Sequence, residues 1–344
     1  MKIGFSIPYN GDLALMAQAF KSGQVKEVYF AGAGRHDYSS PYQNQNKFRD
    51  QEIHDLIALC QKHNIDRTLL MNKGMTFTDN LKEIFQYIRL LDKEGGVTSI
   101  TVGDPAIVPY LKKAFPHIRL QASVFMNIDG LPKIKEALKM GLSDFYLDVS
   151  TNRKGEELDR IRDYKKKHRG FAVKLLANHG CYMNCFYMTR HHGWPLLKDM
   201  LDQLGAAHPS LREAYVLGNM IDVKNCVYRR DDVTDEIKRP FIRPEDLSYY
   251  EDNDWADVIK VAYRMDHTPA LRKKLRAYFE RSFEGDLFEL TPPNKGNHSI
   301  PFICDNKSIP ASFAKKVTHC NMSCEDCDYC KMVSAKAFKK KPKI

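Results

Sequence analysis

The chain has 344 residues, 43% of them hydrophobic and 28% charged, an ordinary globular mixture with room for one large domain or two smaller ones. It contains no apolar run long enough to span a membrane as a helix, and the apolar part of its start, MKIGFSIPYNGD, is too short for a signal peptide. Part of the net charge of +10 is carried by the lysines of the tail AKAFKKKPKI, so charge is compatible with RNA, an acidic protein or an anionic substrate without selecting among them.

Along the first half, short apolar runs alternate with helical patterns. Strands are expected at KIGFSIP (2–8), EVYFAGA (27–33), RTLLMN (67–72), VTSITVGD (97–104), IRLQASVF (118–125), DFYLDVS (144–150) and FAVKLLAN (171–178). Amphipathic stretches such as EIHDLIALCQKH and NLKEIFQYIRLLDKEG lie between them, and many end in Lys, His or Gly as helix C-termini do. An eighth strand is expected at ADVIKVAYR (256–264), followed by the helix TPALRKKLRAYFERSF. Eight such units predict an α/β fold, a (β/α)8 TIM-like barrel; an open doubly wound sheet is the alternative. The domains expected are a barrel over 1–285 with a long insertion at 179–255 after strand 7, a cysteine-rich extension over 286–334 and a basic tail over 335–344. A helix is expected in the insertion near WPLLKDMLDQLG.

Without a leader the protein is expected in the cytoplasm, where thiols stay reduced. Nine cysteines in such a chain argue for metal or cluster ligation rather than a disulfide framework. Cys60, on the apolar stripe of a helix, reads as a core thiol. Cys181 and Cys185, in NHGCYMNCFYMTRHH, follow the end of strand 7 on the face where barrels of this kind place their chemistry. With Cys226 in the same insertion they suit an iron–sulfur cluster or zinc. Cys304 or another side chain is open as a fourth ligand. Cys324, Cys327 and Cys330 have the C-x2-C-x2-C spacing of ferredoxin cluster loops, and Cys320 or Cys304 completes a metal site there, either a [4Fe–4S] cluster or zinc. Cys320, Cys324 and Cys327 also spell the CxxxCxxC of radical S-adenosylmethionine enzymes, but behind the last strand and without a following glycine-rich segment.

Four stretches carry a resemblance: LLANHGCYMNCFYMTRHH, RPFIRPEDLSYY, ADVIKVAYR and ICDNKSIPASFAKKVTHCNMSCEDCDYC. In this order they resemble the collagenase-like peptidase family U32, in particular its branch with a C-terminal cysteine cluster. The resemblance implies a barrel with a [4Fe–4S] cluster on cysteines of the insertion, matched here by Cys181, Cys185 and Cys226. It also implies oxygen-independent hydroxylation of RNA or a small molecule. Redox chemistry of that kind is expected to need an electron donor or acceptor protein as partner. Two positions depart from the family pattern: His179 stands for the usual Glu, and Tyr263 for the glycine before Arg264.

Arg264 ends the eighth strand, where its donor fork suits carboxylate or phosphate or forms a salt bridge across the mouth. Arg243, Glu245 and Asp246 either orient a polar substrate or form a helix N-terminus with Pro in its first turn. Arg190, His191 and His192 crowd the first cysteine motif; adjacent histidines point apart, so one at most faces a site, where it could move a proton near neutral pH. Asn10, Arg35, His36, Asn72 and Asp104 fall near strand ends. The leading function is an iron–sulfur enzyme that modifies a polar or anionic substrate by redox chemistry. A Cys–His hydrolase and a zinc-stabilised RNA-binding protein are the rivals.

Overall fold

The computed structural model describes residues 3–39, 48–72, 81–93, 95–185, 187–188, 233–292 and 301–341. Eight parallel strands close into a barrel in sequence order: β1 (Gly4–Pro8), β2 (Val25–Phe30), β3 (Asp66–Met71), β4 (Ser99–Val102), β5 (Arg119–Ala122), β6 (Asp144–Tyr146), β7 (Ala172–Leu176) and β8 (Val258–Lys260). Val258 pairs with Lys174 of β7 on one side and Gly4 of β1 on the other, which seals the barrel and excludes the open sheet. The (β/α)8 barrel read from the sequence is the fold.

The outer layer comprises α1 (Leu13–Phe20), α2 (Asp50–Lys62), α3 (Leu81–Lys93), α4 (Val108–Ala114), α5 (Leu131–Lys139), α6 (Gly155–Lys167) and the helix Thr268–Glu280. Their apolar stripes decide which face turns inward. On α3 the buried residues are Ile84, Tyr87, Ile88 and Leu91, a 3–4 spacing that faces the strands. Each such aliphatic side chain contributes about 1.5–3 kcal/mol by leaving water. An acid at Ile88 would break the face. Cys60 lies on the equivalent stripe of α2, and burial pushes its thiol up to about 12, so it is an inert core residue.

Behind the barrel, β9 (Phe302–Cys304) pairs antiparallel with β10 (Phe338–Lys340), and the helices Phe313–Thr318 and Tyr329–Ala337 pack around them. This extension has its own core, including Phe241, Phe288, Cys304, Phe313, Val333 and Ala337. Burial, with Asp286 alongside, pushes the Cys304 thiol up to about 12, which makes it a second core thiol. The boundary expected at 334/335 falls inside the helix Tyr329–Ala337, and Lys339 and Lys340 of the basic tail lie in β10. Lysines suit that strand because both Lys339 and Lys340 are exposed on it. The helix expected near WPLLKDMLDQLG lies outside the described residues.

Candidate active site at the barrel mouth

The barrel interior is built around a buried carboxylate. Glu27, on β2, accepts from Ser6 Oγ at 2.6 Å and Gln121 Nε2 at 2.9 Å, and also from Tyr146 Oη and Lys174 Nζ. Burial alone would raise its pKa, but Lys174 and the hydrogen bonds outweigh that and hold the carboxyl well below its ordinary range. Lys174 also approaches Asp144 Oδ2 at 3.3 Å. Five strands thus meet in one buried network of two carboxylates, an ammonium and neutral polar groups.

Above it, Lys260 closes β8 with its ammonium 3.9 Å from the ring centre of Tyr29 and 4.4 Å from that of Tyr146. Burial lowers its pKa to about 7; Glu27 opposes the shift, and Lys174 and Arg264 add to it. Arg264 is buried just beyond, donates to Ser39 Oγ and is held below its ordinary pKa by burial, with Asp37 and Tyr29 opposing. Among the described residues no carboxylate forms a salt bridge with it, so the bridge across the mouth is not seen there.

At the end of β7, Asn178 ties three elements together: its Oδ1 accepts from Ala262 N at 2.7 Å and its Nδ2 donates to Leu290 O at 3.1 Å. The following turn is set by His179, whose Nδ1 accepts from Cys181 N at 3.1 Å. Burial, reinforced by Arg239, lowers its pKa to about 4, so it is a neutral imidazole with its proton on Nε2. The turn after β7 therefore carries an uncharged ring. Cys181 and Cys185 both pack into a small apolar cluster with Val149, Leu176 and Met188, beside Ala262 of the mouth.

The second cysteine group lies directly against this turn. Cys320, Cys324, Cys327 and Cys330 all line one depression of about 300 Å³. An adjoining hollow of about 210 Å³ is lined by Cys320, Cys324 and Cys330 together with Tyr182, Met183 and Asn184, the residues between Cys181 and Cys185. Asn184 and Met322 both adopt left-handed backbone, and Asn184 Nδ2 reaches Met322 Sδ at 3.5 Å, joining the two loops. The first three thiols are exposed, while burial raises the pKa of Cys330. Three lysines, Lys238, Lys316 and Lys331, line the larger depression, and among the described residues no carboxylate does.

Arg153 forms the wall of the smaller hollow. It is 4% exposed, its guanidinium lies 5.1 and 5.0 Å from the centres of the Phe241 and Phe313 rings, which stack on each other, Nη2 donates to Ile237 O, and its Nε has no hydrogen-bond partner among the described residues. A buried cation with a vacant donor calls for an anion nearby. The donor set and charge therefore fit a thiolate-bound metal or cluster. Among the described residues no three His, Cys, Asp or Glu side chains converge on a point that would hold a single ion.

Other residues singled out in the sequence have structural partners. Arg243 is 1% exposed and forms a bidentate pair with Asp246 (2.9 and 2.7 Å), and it donates to the carbonyls of Ile309 and Pro310. Glu245 Oε1 accepts from Phe283 N and Asn306 Nδ2. Of the two readings of RPEDL, the structure takes the helix N-terminus, and it adds a clamp on the extension; Arg243 has its fork engaged by protein rather than turned to a substrate. Asp104 caps Ala106 N, and Asn10 donates to Asp266 O. Arg190, His191, His192 and Cys226 lie outside the described residues. Lys260, Glu27, Lys174 and Arg153 went unremarked in the sequence, although a charged letter inside an apolar strand, as in VKEVYF, AVKLL and VIKVA, was the available signal.

Fold and site together define a (β/α)8-barrel protein with two cysteine-bearing segments meeting beside the C-terminal mouth. Residues 11–173 match the family model described as Peptidase family U32. Uncharacterized protease MJ1657 of Methanocaldococcus jannaschii is 26% identical over 328 residues, covering 92% of this chain and 89% of that one. Over these residues the chain is similar to the U32 family. Among solved structures, the U32 peptidase Mk0906 overlays 76% of this chain and 92% of its own, with a TM-score of 0.47 at 10% identity. The tryptophan synthase A-subunit of Pyrococcus furiosus overlays 51% of this chain and 77% of its own, with a TM-score of 0.35 at 13% identity.

Proposed function

We propose that the chain is an iron–sulfur enzyme of the U32 branch with a C-terminal cysteine cluster. In this reading it modifies a polar or anionic substrate, an RNA or a small molecule, by redox chemistry of the oxygen-independent hydroxylation kind. One observation carries the reading: four thiols line a depression that also presents lysines, and three of them line the adjoining hollow walled by the buried Arg153, whose Nε has no partner among the described residues, and by the Cys181–Cys185 turn. Cys320, Cys324, Cys327 and Cys330 would hold one [4Fe–4S] cluster, and Cys181, Cys185 and Cys226 a second; zinc is the competitor at the C-terminal group. A cluster supplies single electrons when bound. The chain's own part is to set the charge around the thiols through Arg153 and Lys238 and to hold the turn through His179 and Asn178. An electron donor or acceptor protein is then required.

The test is anaerobic purification followed by assay of iron, acid-labile sulfide and zinc. Iron with sulfide, reduced in Cys324→Ser, supports the proposal; zinc without sulfide overturns it. A second reading is hydrolysis, favoured by the protease name of the M. jannaschii relative. Metal-free protein that cleaves peptides, and loses that activity in Cys185→Ala, would establish it instead.

A further inference from the structure

Lys260 ends β8, on the side of the barrel where such folds carry out chemistry, and it is only half-buried, so a small molecule can reach it. It sits on the faces of Tyr29 and Tyr146 without a hydrogen bond or ion pair among the described residues. The nearest carboxylate of the network, Glu27, is committed to Lys174, Ser6, Gln121 and Tyr146. The charged and titratable groups around the amine are therefore Glu27 and Tyr29 from β2, Tyr146 from β6, Lys174 from β7 and Arg264 beyond β8. Structural lysines inside barrels are paired, as Lys174 is. Lys260 has no such pair among the described residues, and an amine kept from its counter-ion against aromatic faces is the arrangement that makes lysine a nucleophile.

We propose that Lys260 is a nucleophilic amine that condenses with the carbonyl carbon of a small 2-oxo acid entering the barrel mouth. The lone pair of Nζ forms the C–N bond as the carbonyl π pair moves to oxygen. One amine proton passes to that oxygen, and loss of the hydroxyl with the second amine proton releases one water and leaves an imine. No electrons are gained or lost. The carboxylate half of the ligand class follows from Arg264, 2% exposed, whose planar fork has one described hydrogen bond, to Ser39. The proposal is independent of what the cysteines hold.

The full-length protein is incubated at pH 7 with pyruvate and sodium cyanoborohydride, which reduces an imine to a stable secondary amine, and the adducts are mapped by peptide mass spectrometry. The adduct is expected on Lys260 at a rate about tenfold or more above the exposed lysines, because about half of an amine with a pKa near 7 is free base at that pH. Relative to the exposed lysines this advantage shrinks as pH rises toward 10. Arg264→Leu should cut the rate at Lys260 several-fold, and Lys260→Met should abolish the site. If Lys260→Met does not fold, the wild-type map decides alone. Adducts spread over surface lysines with none favoured at Lys260 overturn the proposal.

Discussion

A carboxylate with 1% of its surface in water needs compensation, and Glu27 has four partners on four other strands. Glu27→Gln keeps the shape but leaves Lys174 as a buried cation with only Asp144 near it. The expected loss is about 3–5 kcal/mol, read as a lower urea midpoint with an unchanged slope. Because the folded pKa of Glu27 lies below the ordinary value, its stabilisation is fully present above about pH 4 and is lost as pH falls toward the folded value. The acid-unfolding curve of the variant should therefore be flatter than that of the parent below pH 4. These residues were legible as anomalies, a Glu and two Lys inside apolar strand letters. What the letters lacked was partnership, because Glu27 and Lys174 are 147 positions apart and meet only when the barrel closes.

At the scale of elements, the eight strands could be read because apolar runs and helix periods alternate without interruption up to β7. Their ends were read long, as at 97–104 where β4 spans Ser99–Val102: Val97 before the strand is buried like a strand residue, and the letters alone do not mark where pairing stops. β10 was not legible: FKK looks like a solvated tail, and its strand character comes entirely from pairing with β9. The segment RPEDL kept two readings open in the sequence, and its partners decide between them. Arg243→Ala should remove the bidentate pair and the bonds to Ile309 and Pro310 at once, leaving Asp246 buried and unpaired. A loss of about 3–5 kcal/mol is expected. The change should free the extension first, seen as faster hydrogen exchange in the helix Phe313–Thr318 before the barrel strands exchange.

On the whole-molecule scale, the two cysteine groups lie more than a hundred positions apart in the chain yet share one hollow. Sequence spacing could suggest ligands within each group; only the return of the extension to the β7 end brings the groups together. The basic tail helps hold that return. Ala337 is fully buried, its carbonyl accepts from Asp305 N at 2.8 Å, Phe338 stands 5.8 Å from the Phe288 ring, and Lys341 N donates to Pro301 O at 2.9 Å. A chain ended at Ser334 loses these contacts and the last turn of the helix that carries Cys330. A merely solvated tail would make that truncation silent in stability. The packing instead predicts a loss on the order of 3 kcal/mol, combining a partly buried aromatic with several backbone hydrogen bonds. Differential scanning calorimetry would show it as an extension that melts ahead of the barrel. Because Cys330 rides on the affected helix, the truncated chain should also retain less iron or zinc than the full chain after the same purification. Equal melting and equal metal content in the two chains would return residues 335–341 to the role of a solvated end.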